Sequence, residues 1–148
     1  MKRSLILAGG VVALGIAAAI FLKSSDNREA LAAGSPNTLP KGSPLAQVTL
    51  PAELSPQAQI GKTAFNAVCA ACHGENAAGR AGMGPPFINP IYQPGHHSDM
   101  AFQMAVKQGV RAHHWPFGNM PPQPGLTPGD VKNIVAYVRE LQRANGIQ

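Results

Sequence analysis

The most informative segment of the sequence is Cys69-Ala70-Ala71-Cys72-His73, which contains both cysteines of the chain. The pattern C-x-x-C-H is the attachment site of c-type haem. Its spacing suits that chemistry, because two thiols three residues apart on a helical turn can each form a thioether with one porphyrin. The histidine that follows can then bind the iron. The motif predicts one covalent haem c, with Cys69 and Cys72 as attachment points and His73 as an iron ligand.

Two other kinds of site use cysteines at this spacing. A dithiol redox motif would need the strand pattern of a thioredoxin-like fold, and the sequence shows no such pattern. A zinc site would need a second spaced pair of ligands, whereas the chain has only two cysteines. Both alternatives are therefore weaker than haem attachment.

Three helices are predicted around the motif from their caps and their apolar periodicity. The first begins at Ser55, an N-cap followed by a proline at the first helical position. The second covers about 98–108, and the third begins at Thr127, with Asp130 in the position that completes a capping box. The positions predicted to face a core are Ala58, Gly61, Phe65, Val68, Val131, Ile134, Val135, Val138 and Leu141.

Long segments rich in glycine and proline separate these helices, over 74–97 and 109–126. They are too long to be simple connections in so small a domain. Three helices with this much loop lack aliphatic residues for a core, and a haem would fill the gap. The predicted fold class is therefore all-α, with about three main helices and long loops wrapped around one covalently bound haem.

The methionines are the candidates for the second axial ligand of the iron. Met120 is followed by two prolines, which stiffen its extended loop, so that a thioether can be held against iron at little entropic cost. Met100 and Met104 are one helical turn apart and are predicted to pack in the core. Met83 is predicted to pack in the loop after the motif. Met120 is therefore the predicted iron ligand.

Residues 1–22 are predicted to be a membrane anchor. Lys2 and Arg3 precede an uncharged apolar run from Leu5 to Leu22, which as a helix would be about 27 Å long. That length is enough to cross a bilayer core. A cleaved signal peptide is the main alternative, although signal cores are usually shorter, and a buried core helix is a third. Because the positive residues stay inside, anchor and signal peptide both export the rest of the chain.

Residues 23–54 are predicted to be a flexible linker, which leaves the globular domain over 55–148. The segment mixes serine with proline and shows neither helical nor strand periodicity. An irregular extension packed on the domain is the alternative.

Composition and charge exclude several classes of protein. The chain has 148 residues, of which 45% are apolar and 13% charged, and its net charge is +5. Neither a long coiled coil nor a wholly disordered chain has this composition. Residues 55–148 contain no run of basic residues, so nucleic-acid binding is not supported.

Residues 56–145 resemble the class I c-type cytochromes in their small bacterial form. The resemblance rests on the motif at Cys69–His73, on the loop of Met120, and on a glycine and aromatic residues where the first and last helices of that family cross. The residues that match this crossing are Gly61, Phe65 and Tyr137. The resemblance implies the cytochrome c fold around one haem c.

The resemblance also implies a partner for the proximal imidazole. In that family a proline carbonyl after the haem motif commonly receives the imidazole N–H, and Pro85 is the matching residue, with Pro86 close behind. Such a bond would fix the tautomer of His73. Trp115 is predicted to pack on the haem edge, where its indole N–H could reach a propionate. Arg111 could neutralise a propionate or remain in solvent.

Two histidine pairs, His96-His97 and His113-His114, need a separate interpretation. Adjacent residues point to different sides of a regular backbone, so neither pair is a natural chelate. Exposed or propionate-bonding side chains are predicted. A copper site and a histidine in place of Met120 are the alternatives.

The predicted function is electron transfer between redox partner proteins, with no small-molecule substrate. A His/Met-ligated iron has no open coordination position, and methionine raises its reduction potential. The haem domain is predicted to lie in the periplasm, held to a bacterial inner membrane by a single-pass N-terminal helix. The alternatives are a peroxidase-like haem enzyme and a haem or copper sensor with a labile sixth ligand.

Overall fold

The computed structural model describes residues 39–148, and every regular element in this part of the chain is helical. The α-helices are α1 (Pro56–Val68), α2 (Ala70–His73), α3 (Asp99–Gln108) and α4 (Pro128–Ala144). Two 3-10 turns cover Glu75–Ala77 and Pro90–Tyr92. Between residues 39 and 148 there is no β-strand, and pairing is limited to the isolated bridges Arg80–Gly84 and Val110–Met120. The predicted all-α class is confirmed.

The helix ends follow the capping residues. The Ser55 side chain accepts a hydrogen bond from a backbone N–H in the first turn of α1, and Thr127 forms a reciprocal capping box with Asp130 at the start of α4. Helix α3 follows Ser98, whose side chain makes no capping bond, and stops at Gly109. The φ of Gly109 is +75°, in the left-handed region that favours glycine. The three predicted helix starts are confirmed.

The core lies where α1 crosses α4. Gly61 of α1 touches the backbone of Asn133 in α4, and a Cβ added to Gly61 would lie 1.9 Å from the Asn133 carbonyl oxygen. Only glycine allows so close an approach. Beside this point the rings of Phe65 and Tyr137 pack edge to face with centroids 5.6 Å apart. Both are almost completely buried.

The apolar faces predicted for the first and last helices are confirmed, with one exception. Val68 is only half-buried, because it lines a cavity beside the core. Helix α3 packs near α4 but has no fully buried residue. Its Ala101, Phe102 and Ala105 line the same cavity.

The prediction that Met100 and Met104 pack in the core is wrong. Met100 is 65% exposed and Met104 is 42% exposed. Their spacing shows that they share a side of α3, but it does not say which side faces inwards. Phe102 occupies the inward side and packs against the core.

The segment before α1 is not a free linker where the structure describes it, so the predicted linker over 23–54 needs correction there. The N–H of Gly42 donates to the carbonyl of Ala81 at 2.8 Å. The side chain of Asn145, the C-cap of α4, bonds both the N–H and the carbonyl of Thr49, at 2.8 Å each. This part is the irregular extension packed on the domain. Backbone hydrogen bonds anchor it, and they leave no periodicity in the sequence.

Within residues 39–148, no helix combines the length and the apolar character that crossing a membrane requires. The predicted anchor over 1–22 and the first part of the predicted linker lie outside the described residues.

Candidate functional site

A cavity of about 550 Å³ opens beside the helix crossing, a volume typical of cofactor sites. It lies among the end of α1, α2, α3 and the loop 109–126. All six predicted site residues line it, although they come from separate segments of the chain. These residues are Cys69, Cys72, His73, Pro85, Trp115 and Met120.

Helix α2 positions the two thiols at the cavity. Its N-cap is Cys69, in helical conformation, and the N–H of Cys72 donates back to the Cys69 carbonyl at 3.1 Å. Neither cysteine is in a disulfide. Burial, and secondly the neighbouring Cys72, raise the pKa of Cys69 to about 11. A reactive dithiol centre needs a lowered thiol pKa instead, so this environment disfavours the dithiol alternative.

His73, the last residue of α2, is buried and its ring is held from two sides. Its Nδ1 lies 3.0 Å from the carbonyl oxygen of Pro85. Because a carbonyl only accepts, Nδ1 carries the proton and Nε2 is left for a metal. The ring also stacks on Phe87 with centroids 4.2 Å apart. Burial lowers the pKa of His73, and the Pro85 carbonyl partly opposes this, which favours the neutral imidazole that metals bind.

The turn after His73 is fixed to α4. Asn76 and Ala77 have φ values of 52° and 60°, which are uncommon for residues other than glycine. The Tyr137 hydroxyl of α4 donates to the Asn76 side-chain oxygen at 3.0 Å. The packed helix crossing therefore also supports the turn that follows the haem motif.

Met120 is half-buried in a loop attached to the end of α3. Its N–H and carbonyl form a pair of hydrogen bonds with Val110, at 3.0 and 2.9 Å. A Cβ on Gly109 would lie 2.5 Å from the Met120 carbonyl oxygen, so this close approach also requires glycine. Met83 and Met104 reach the cavity as well. Of these three methionines, Met120 is the one whose backbone N–H and carbonyl are both hydrogen-bonded to the same residue of a neighbouring segment, Val110.

Trp115 brings a buried hydrogen-bond donor to the cavity. Its Nε1 meets no acceptor in hydrogen-bond geometry among the described residues. Burial raises the pKa of Tyr92 to about 12, and the polar interaction of its hydroxyl with the nearby Trp115 side chain opposes that rise. Because this contact with Tyr92 does not reach hydrogen-bond geometry, the buried indole N–H can still donate to a carboxylate such as a haem propionate. Arg111, by contrast, is exposed and does not line the cavity.

The structure brings the two histidine pairs together, which the sequence did not predict. One ring nitrogen from each of His96, His97 and His114 lies within 4.8 Å of the others. The rings of His113 and His114 have centroids 4.1 Å apart. Neither adjacent pair is a chelate by itself, but the loops on either side of α3 meet. No spacing in the sequence signals that meeting.

The residues at the cavity fit haem c. Two free thiols stand at the C-x-x-C spacing, and the neutral imidazole keeps Nε2 available. Thioethers line the cavity, and an indole N–H lacks an acceptor. Cysteine, histidine and methionine are the protein groups that attach and ligate such a haem.

Comparisons with known proteins show the family to which the chain belongs. The family model for cytochrome c matches residues 58–142. A relative, the cbb3-type cytochrome c oxidase subunit CcoP of Rubrivivax gelatinosus, is 36% identical over 103 residues, which cover 66% of this chain and 31% of the relative. The chain therefore matches less than a third of that relative's length. No solved structure matches. Because the family match spans more than half of the chain and includes the haem motif, the chain belongs to the cytochrome c family and carries covalently bound haem c in an electron-transfer role.

Proposed function

We propose that this chain is an electron carrier rather than an enzyme, with an iron ligated by His73 and Met120. The observation that carries the proposal is the convergence of the predicted residues on one cavity. His73 Nε2 is left free by the bond to Pro85, and the Met120 backbone is fixed to Val110. The His73 imidazole and the backbone of Met120 are therefore held before any metal is bound, and such preorganisation lowers the cost of ligation.

Bound haem supplies a one-electron couple between ferric and ferrous iron, and a methionine ligand favours the ferrous form. The chain's own residues hold the proximal imidazole in one tautomer and keep water away with apolar side chains. If Met120 occupies the sixth position, no site remains for a substrate. The proposal therefore excludes peroxidase-like chemistry.

The partner we propose is another redox protein that docks on an apolar patch beside the cavity. Exposed Met100 and Met104 lie on α3, and Met104 also lines the cavity. Residues 55–148 contain seven basic and four acidic residues, a formal excess of three positive charges. So small a charge gives weak electrostatic steering. The relative is an oxidase subunit, and an oxidase complex of that type is the partner class we propose.

For location, we propose a periplasmic haem domain on a bacterial inner membrane. Residues 1–22 would be a single-pass anchor, with a cleaved signal peptide as the alternative. The apolar run and the preceding Lys2 and Arg3 support this proposal.

The ligand assignment is tested with Met120→Ala in the haem-bound chain. We expect covalent haem to remain, because the thioethers do not involve this loop, while the ferric charge-transfer band of methionine ligation disappears and cyanide binds readily. Met83→Leu and Met104→Leu are the matched controls, since both residues line the cavity, and both variants should keep the band. Persistence of the band in Met120→Ala, or its loss in a control, would overturn the assignment.

A further inference from the structure

The histidine cluster at the edge of the cavity has no role in the haem site described above. It consists of His96, His97 and His114, whose ring nitrogens lie within 4.8 Å of one another. His97 and His114 line the cavity, whereas His96 does not. We propose that these three histidines bind a divalent transition-metal ion, Zn²⁺ or Cu²⁺.

The spacing of the three rings is close to what such an ion requires. Tetrahedral zinc with Zn–N distances of about 2.0–2.1 Å places its ligand nitrogens about 3.4 Å apart. The cluster would thus need to contract by at most about 1.4 Å. His96 and His114 are exposed, so rotation of their rings can supply this movement. Three imidazoles leave the fourth position for water.

His97 is the fixed member of the cluster. Its Nδ1 lies 2.6 Å from the carbonyl oxygen of Ile91, so Nδ1 is the protonated nitrogen and Nε2 is free. Metal-binding histidines commonly donate their second N–H to a carbonyl in this way. The Arg139 guanidinium also donates to the His97 carbonyl at 2.6 Å, which holds the backbone of this ligand in place.

The donor set selects the kind of ion. Imidazole nitrogens suit zinc and copper, whereas calcium and magnesium prefer oxygen ligands. Neutral imidazoles are the form that binds metal. His113 is different, because its ring nitrogens are not among the three that converge.

Calorimetric titration of the haem-bound full chain with ZnCl₂ tests the site. We expect one Zn²⁺ per chain with a dissociation constant below about 100 μM. His96→Gln and His114→Gln should each weaken binding at least about tenfold, because each removes one of three ligands. His113→Gln is the matched control, since this exposed ring lies beside His114, and it should leave the affinity within about twofold.

Paramagnetic resonance of bound Cu²⁺ gives a second readout. Nitrogen hyperfine structure should be present in the parent chain and absent in the double variant His96→Gln/His114→Gln. Both residues are exposed, so the circular dichroism of the double variant should match that of the parent chain. A zinc dissociation constant above about 100 μM, an equal loss in the His113 variant, or unchanged hyperfine structure in the double variant would overturn the proposal.

Discussion

Arg139 of α4 is a buried cation that holds the segment leading into α3. It is 7% exposed. Its guanidinium donates four hydrogen bonds of 2.6–2.9 Å, to Asp99 Oδ1, the Tyr92 carbonyl, the His97 carbonyl and Gln142 Oε1. Tyr92 and His97 line the cavity. The shape of that part of the cavity therefore depends on one side chain of the last helix.

We predict that Arg139→Met lowers the free energy of unfolding by about 3 kcal/mol. Methionine fills much of the same volume but donates no hydrogen bond, so the acceptors on His97 and Gln142 lose their donor. Each buried acceptor left unpaired costs about 1–3 kcal/mol. Tyr92 keeps a bond from Gln142 Nε2 at 3.0 Å, and the Asp99 side chain is 70% exposed and returns to water. Two unpaired acceptors thus set the size of the effect.

Unfolding of the haem-bound chain in guanidinium chloride, followed by circular dichroism, measures this change as a shift of the midpoint at constant slope. Asp99→Asn is the matched control, because it weakens the same ion pair and leaves the other three bonds. It should cost less than about 1 kcal/mol, as exposed ion pairs do. If Arg139→Met costs no more than Asp99→Asn, the reasoning from buried acceptors is refuted.

Three further predictions concern the helix crossing, the haem edge and the docking surface. Gly61→Ala should destabilise the chain by at least about 2 kcal/mol, because its Cβ would lie 1.9 Å from a backbone oxygen. Gly129→Ala in the first turn of α4 has room and should be neutral or stabilising in the same denaturation assay. Trp115→Phe should lower the reduction potential in a spectroelectrochemical titration, because a propionate that loses an N–H donor stabilises ferric iron; an unchanged potential would contradict the propionate contact. The rate of electron transfer to a partner should fall only mildly with ionic strength in stopped-flow measurements, and a steep fall would contradict a mainly apolar docking surface.

Features encoded by local residue order could be predicted from the sequence. Ser55 and Thr127 cap their helices because capping depends on a few adjacent residues. The haem motif is also local, since its five residues share one turn. The bond between His73 and Pro85 spans twelve residues, but it was implied by the family resemblance rather than by any periodicity.

Features produced by the meeting of distant segments could not be predicted in this way. The histidine cluster needs the chain before α3 and the chain after it to come together. The four bonds of Arg139 likewise join α4 to residues about forty or more positions away, except for the one to Gln142. Arg139 follows Val138 on α4, and nothing in its spacing distinguishes it from a solvent-exposed arginine.

The misplacement of Met100 and Met104 has a deeper physical reason. On the α1–α4 side the core is made of protein, and Phe65, Tyr137 and Leu141 are at most 1% exposed. Apolar periodicity therefore identifies their buried faces correctly. On the α3 side the interior is the cavity, and α3 has no fully buried residue. When a cofactor supplies the core, a side chain on α3 becomes buried only where the loops bring it against that cofactor. The spacing of apolar residues along α3 therefore does not tell which side of the helix faces inwards. Because α3 borders the cavity rather than a core made of protein, its Met100 and Met104 stay exposed beside the cavity, where a docking redox partner would meet them.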